Sequence, residues 1–80
     1  MSFVTFYSIE YEILMGSDVN RDGMFLEVSM PNTNPLRQIA EVFYSDASQS
    51  FSLSYCEENT PIELVEYLIN EAKKSLPPKE

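Results

Sequence analysis

The first part of the chain alternates between apolar and polar positions, which is the pattern of a β-strand with one buried face. In residues 3–15, Ser8, Glu10 and Glu12 fall between positions that are mainly aromatic or branched. Because ordinary strands have about 3–10 residues, we expect one strand with a bulge or bend near Ser8 to Glu10. One face of this strand is expected to carry Phe3, Thr5, Tyr7, Ile9, Tyr11, Ile13 and Met15.

Three further strands are predicted: residues 24–30 and 50–56 repeat this alternation, and residues 38–45 are apolar on both faces. Polar, turn-forming stretches at 16–23, 31–35 and 46–49 separate the strands. The sheet face that we expect a helix to cover carries Ile9, Leu26, Val42, Leu53 and Tyr55. The opposite face, called the open face below, is expected to carry Glu10, Glu12, Phe25, Glu27, Ile39, Glu41 and Phe43.

The last part of the chain predicts an α-helix over residues 61–76. Thr60 is expected to cap this helix, with Pro61 at its first position and Glu63 completing a capping box. The pair Pro77-Pro78 is expected to end it. The apolar positions at helical spacing are Ile62, Val65, Leu68, Ile69, Ala72 and Leu76.

Residues 1–80 are therefore predicted to form a single α+β domain. The expected architecture is a four-stranded antiparallel β-meander with one C-terminal α-helix packed on one face, in the order β-β-β-β-α. The first or the last strand is expected at an open edge, where unpaired backbone groups favour pairing with a second copy. High net charge favours a monomer instead, so monomer and homodimer both stay open.

The charge balance limits the partners that the protein can bind. The chain has 13 acidic and 5 basic residues, for a net charge of −8. Residues 1–72 contain 12 of the acids but only Arg21 and Arg37 as bases, a local net charge of −10. Because phosphate groups are bound mainly by Lys and Arg, we expect no direct nucleic-acid binding and no membrane binding. A basic protein is the expected partner.

Few residues carry chemistry. The chain has no histidine, which is the commonest general base, and its single cysteine, Cys56, has no histidine to activate it. We therefore expect no enzymatic activity, no cofactor and no metal site. A lone cysteine cannot form an internal disulfide, and the first residues lack the basic start and apolar run of a secretory signal. The expected location is the cytoplasm.

One loop matches the start of a calcium-binding motif. Residues 18–23, Asp-Val-Asn-Arg-Asp-Gly, fit the pattern D-x-[DN]-x-[DN]-G, whose alternate oxygens can face one cation. The twelfth position is Ser29 rather than glutamate, and the flanking segments are predicted strands. We favour a polar hairpin loop in which Asp22-Gly23 supplies positive φ, and a structural or calcium-responsive module remains an alternative.

The open face is the candidate partner-binding surface. Phenylalanines within a rim of acids are typical of protein-binding faces, in which an aromatic anchor is surrounded by charge. This assignment depends on strand register, because a slip of one residue moves every side chain to the other face. The candidate binding residues are Glu10, Glu12, Asp18, Asp22, Phe25, Glu27, Glu41 and Phe43.

Three segments give the chain a resemblance in type to a known class of proteins. They are the acidic loop at 17–23, the stretch Glu-Val-Phe-Tyr-Ser-Asp at 41–46 and the predicted helix start at 61–70. In these features the chain resembles the small acidic bacterial immunity proteins that neutralise toxins. The resemblance implies an inhibitor that fills the basic, phosphate-binding cleft of a nuclease toxin with carboxylates. A phage-type inhibitor that mimics nucleic acid, such as an anti-CRISPR protein, is the alternative.

Overall fold

The computed structural model describes residues 2–76, which form five strands and one helix. The strands make a single antiparallel sheet in chain order, and the helix follows them. The predicted α+β class, antiparallel sheet and C-terminal helix are confirmed, but the sheet has five strands rather than four. The elements are β1 (Ser2–Phe6), β2 (Ile9–Asp18), β3 (Gly23–Met30), β4 (Arg37–Ser45), β5 (Ser50–Cys56) and α1 (Ile62–Ser75).

The additional strand arises because a tight turn divides the predicted first strand. Tyr7 and Ser8 have φ values of 52° and 65°, so they form a two-residue hairpin turn where a bulge was expected. The hairpin pairs Phe3 with Glu12 and therefore places Phe3 on the open face. The prediction that Phe3 and Tyr11 share a face is wrong.

The loop between β2 and β3 is shorter than predicted and spans residues 19–22. β2 continues to Asp18, and β3 begins at Gly23. The positive φ expected of the Asp22-Gly23 pair falls on Asp22, at 55°. Gly23 is needed for a different reason, because a Cβ there would collide with the carbonyl oxygen of Tyr44 and come within 2.5 Å of Cζ of Phe43.

The helix packs on the sheet through a stripe of residues four apart. Leu64, Leu68, Ala72 and Leu76 are fully buried in the core with residues of β2, β3 and β4. Ile62, expected on this side, is 69% exposed because the side of the helix that faces the sheet is the one with Leu64 and Leu68. The predicted helix end at Pro77-Pro78 lies outside the described residues.

The predicted capping box at the start of the helix is wrong. The Thr60 hydroxyl donates to the Glu57 carbonyl at 2.6 Å, and Pro61 is the N-cap residue without a side-chain hydrogen bond. The Glu63 carboxylate instead accepts the Tyr7 hydroxyl at 2.7 Å. Tyr7 lies in the β1–β2 turn, so this competing partner exists only because the first strand is divided.

Two register irregularities move residues between the faces of the sheet. Val28 pairs with Ala40, but Ser29 pairs with Gln38, so Ile39 is left over and joins the helix-side core. A second irregularity leaves Ser54 over and pairs Tyr55 with Glu41 on the open face. The predicted positions of Ile39 and Tyr55 were therefore wrong.

The helix lies mainly over β3 and β4, and its Tyr67 ring also contacts the Phe6 ring of β1, with the ring centres 5.9 Å apart. Ile9 near one side of the sheet and Leu53 near the other remain exposed although they were expected to be covered. β1 and β5 form the two edges of the sheet. No helix within residues 2–76 is both long enough and apolar enough to cross a membrane.

Candidate functional site

The centre of the open face brings together two acids and two phenylalanines. β3 and β4 pair Phe25 with Phe43 and Glu27 with Glu41, so the four side chains form adjacent rows on the same face. On the other side of β3, Leu14 is opposite Glu27, and Gly16 is opposite Phe25. Because Gly16 has no side chain, the Phe25 ring lies over it, with Cζ 2.7 Å from where a Cβ would be.

Arg21 extends from the β2–β3 loop across this surface, a position that the sequence did not predict. Its two terminal nitrogens donate to the two carboxylate oxygens of Glu41 at 3.0 and 3.3 Å. Its Nε donates to Asp18 at 2.6 Å, and its guanidinium carbon lies 4.3 Å from the centre of the Phe43 ring. One guanidinium is thus held by two carboxylates and an aromatic ring at once.

Arg21 lies over Glu41 and Phe43 and therefore limits how much of these two side chains another molecule can contact. Phe43 and Glu41 are each only 8% exposed. The Ser54 hydroxyl, on β5, also donates to the Glu41 carboxylate. Phe43 was expected as a possible exposed anchor, but it lies in the sheet surface beneath Arg21. Of the two central phenylalanines, Phe25 is the more accessible.

The electrostatic environment of Glu27 differs from that of Glu41. Burial raises the pKa of Glu27, and the nearby charges of Glu41 and Glu12 raise it further. A hydrogen bond from the Ser29 hydroxyl at 3.2 Å acts in the other direction and lowers this pKa. Within residues 2–76, the ion pairs of the open face involve Asp18 and Glu41, and none involves Glu27. Glu27 is therefore a half-buried carboxylate between two others of the same sign.

The other predicted residues lie farther from this centre. Glu10 is exposed near the β1 side of the open face, and half-buried Glu12 is paired with Ser29. Asp22 is exposed in the loop, where its backbone carbonyl accepts the Asp46 N–H at 3.0 Å. Asp22 is thus separate from the central group.

The open face also contains apolar residues that the sequence interpretation did not place there. Phe3 is 53% exposed beside Glu12, Tyr55 is 44% exposed beside Glu41, and Leu14 is half-buried beside Glu27. Phe3 and Tyr55 were missed because the turn at Tyr7 and the irregularity in β5 reverse their faces. The open face is consequently a mixed surface of carboxylates and apolar groups.

In the calcium-like loop at 18–23, the first carboxylate accepts hydrogen bonds from other residues of the loop. Asp18 accepts the backbone N–H groups of Asn20 at 3.0 Å and Arg21 at 3.2 Å, in addition to the Arg21 side chain. The pKa of Asp18 is lowered mainly by the hydrogen bond from the Arg21 side chain and next by the hydrogen bond from the Arg21 backbone N–H. Within residues 2–76, no three or more acidic or cysteine side chains are grouped in a way that would hold a metal ion.

Comparison of the chain with models of protein families, with curated proteins and with solved structures gives no match. The open face combines negative charge, partly exposed aromatic rings and a backbone fixed by neighbouring strands on both sides of β2, β3 and β4.

Proposed function

We propose that this protein neutralises a basic protein partner by binding it directly through the open face. The observation that carries the proposal is the presence of Glu10, Glu12 and Glu27 around the partly exposed Phe3 and Phe25 on the sheet face without the helix. Apolar anchors with a charged rim are the usual composition of a protein-binding surface. Carboxylates on a rigid sheet suit a partner rich in Lys and Arg.

The size of the open face is compatible with such an interface. Five strands about 4.8 Å apart and about 25 Å long cover roughly 500–600 Å² in plane. A standard interface buries about 800 Å² of accessible surface on each partner, and side chains add to the planar area. The open face therefore supplies most of one standard interface.

The class of partner follows from the chemistry of the charges. A cleft that binds nucleic-acid phosphates is lined with Lys and Arg, and closely placed carboxylates on a protein surface match that lining. A nuclease toxin has such a cleft, so the proposed activity is that of an immunity protein that fills it. This is also the activity implied by the resemblance in charge, size and fold type.

Charge reversal on the two sides of the molecule tests the proposal. The partner is first captured from the native host and identified by mass spectrometry. We expect Glu10→Lys combined with Glu12→Lys to slow association about tenfold or more at low salt, because electrostatic attraction accelerates encounter by about 10–10³-fold. Glu41 is not used, since a lysine there would face Arg21 and disturb the fold.

The matched control is Glu58→Lys combined with Glu66→Lys, which changes the net charge by the same amount. Glu58 precedes the helix and Glu66 lies on it, and both are exposed. Association rates of the two double variants are compared by surface plasmon resonance at two salt concentrations. If both double variants slowed association equally, net charge alone would explain the effect. The proposal that the open face binds the partner would then be contradicted. The identity of the captured protein distinguishes a toxin from another nucleic-acid-binding protein.

A further inference from the structure

The open face already holds one arginine, and its contacts define what the surface recognises. The Arg21 guanidinium lies against the Phe43 ring while donating two hydrogen bonds to Glu41. A planar cation suits this arrangement because one face of the group contacts the ring while its edge meets the carboxylate. An ammonium group offers neither the flat face nor the parallel pair of donors.

The same pair of residue types is present one strand away. Phe25 and Glu27 on β3 lie directly opposite Phe43 and Glu41 on β4, so a ring and a carboxylate recur at the same spacing. The Glu27 carboxylate accepts a hydrogen bond from the Ser29 hydroxyl, and it belongs to none of the ion pairs within residues 2–76. Phe25 is half-buried, whereas Phe43 is buried.

We propose that Phe25 and Glu27 form a binding site for an arginine side chain supplied by the basic partner. The guanidinium would lie on the Phe25 ring and donate to the Glu27 carboxylate, as Arg21 does with Phe43 and Glu41. Leu14, opposite Glu27 on β2, offers apolar contact to the methylene groups of the arginine. This proposal rests on the function proposed above and names the group that the open face recognises.

Electrostatics favour the arrival of a cation at this position. Glu27 lies beside Glu41 on β4 and near Glu12 on β2, and the repulsion between these carboxylates is offset on the β4 side by Arg21. A second guanidinium at Glu27 would offset the remaining repulsion. Because Glu27 is half-buried, its attraction for a cation is screened less by salt than that of an exposed acid.

Two short peptides serve as probes: the capped pentapeptide Gly-Arg-Gly-Arg-Gly and its counterpart with lysine in place of arginine. Each is titrated into the ¹⁵N-labelled protein at an ionic strength of about 0.15 M, where diffuse attraction is screened beyond about 8 Å. We expect saturable amide shifts centred on Phe25, Glu27 and Leu14. The arginine peptide is expected to bind about fivefold more tightly than the lysine peptide, because only a guanidinium makes both contacts.

The variants Glu27→Gln and Glu66→Gln provide a matched pair, since each removes one negative charge. Glu27→Gln is expected to weaken arginine-peptide binding about fivefold or more, and Glu66→Gln less than about twofold. Phe25→Leu retains the charge and is expected to weaken binding about threefold. The melting temperature and amide spectrum of each variant establish that it is folded.

The proposal is overturned if the two peptides bind equally, if the Glu27 and Glu66 variants lose affinity equally, or if no saturable shift occurs on the open face. These results are separable from the test of function. If the peptide fails but partner binding still depends on Glu10 and Glu12, the arginine site is wrong and the binding face stands. If partner binding is indifferent to Glu10 and Glu12, the proposed function fails whatever the peptide does.

Discussion

Gly23→Ala is expected to destabilise the protein by about 3–5 kcal/mol, at the upper end of single-residue effects. An added Cβ would collide with the Tyr44 carbonyl oxygen and lie 2.5 Å from Cζ of Phe43. The carbonyl belongs to the backbone of β4, so β3 and β4 would have to separate to relieve the overlap. Urea denaturation at constant m-value measures the loss.

Gly16→Ala is the matched control for this prediction. Its added Cβ would meet Cζ of Phe25 at 2.7 Å, but this atom is the far end of a side chain that can rotate away. We expect a loss of about 1 kcal/mol, close to the typical cost of one substitution. If the two alanine variants were equally stable, the close approach of β3 and β4 at Gly23 would be incorrect.

Leu68→Ala is expected to cost about 2–5 kcal/mol, as for other fully buried leucines. Leu68 is completely buried between the helix and the sheet, in the middle of the stripe formed by Leu64, Ala72 and Leu76. Because a small domain has a total stability of only about 5–15 kcal/mol, the loss should be visible as a large shift of the urea midpoint.

The contrasting variant is Ile62→Ala, on the same helix. The sequence pattern placed Ile62 among the buried residues, but the structure leaves it 69% exposed. We expect its truncation to change stability by less than about 0.5 kcal/mol. A loss for Leu68→Ala below about 0.5 kcal/mol, or a larger loss for Ile62→Ala, would mean that the helix presents a different side to the sheet.

These two helix positions illustrate what the sequence could and could not determine. The apolar spacing is sufficient to predict a helix, but two neighbouring stripes are both apolar, one through Ile62 and Val65 and one through Leu64 and Leu68. Which stripe faces the sheet depends on how the chain enters the helix. That entry involves the Tyr7–Glu63 hydrogen bond, which joins residues 56 positions apart.

The strands show the same division between local pattern and tertiary context. Alternation places Phe25, Glu27, Glu41 and Phe43 on the open face, where the structure has them. It fails at the β1–β2 hairpin because its turn has neither the Asn-Gly nor the Asp-Gly sequence that identifies such turns. It also fails at the extra residues in β4 and β5, since a register irregularity leaves no mark on the alternation itself.

The position of the Arg21 side chain could not be predicted from the sequence, because this long side chain crosses from the β2–β3 loop to Glu41 on β4. The carboxylates of the loop at 18–23 predict a polar turn or a calcium site. In the structure, the arginine between those carboxylates reaches Glu41, 20 residues away. The one signal in the sequence was Glu41, a carboxylate between Ala40 and Val42 in the apolar middle of β4, because a buried carboxylate requires a partner.

The most direct test of the account is to map which side chains contact the captured partner. In a cross-saturation NMR experiment, irradiation of the unlabelled partner transfers saturation only to protons of the labelled protein that lie at the interface. We predict strong transfer to Phe3, Leu14 and Phe25 on the open face, and none to Ile62 on the helix. Transfer to the helix without transfer to these open-face residues would contradict the proposed mode of binding.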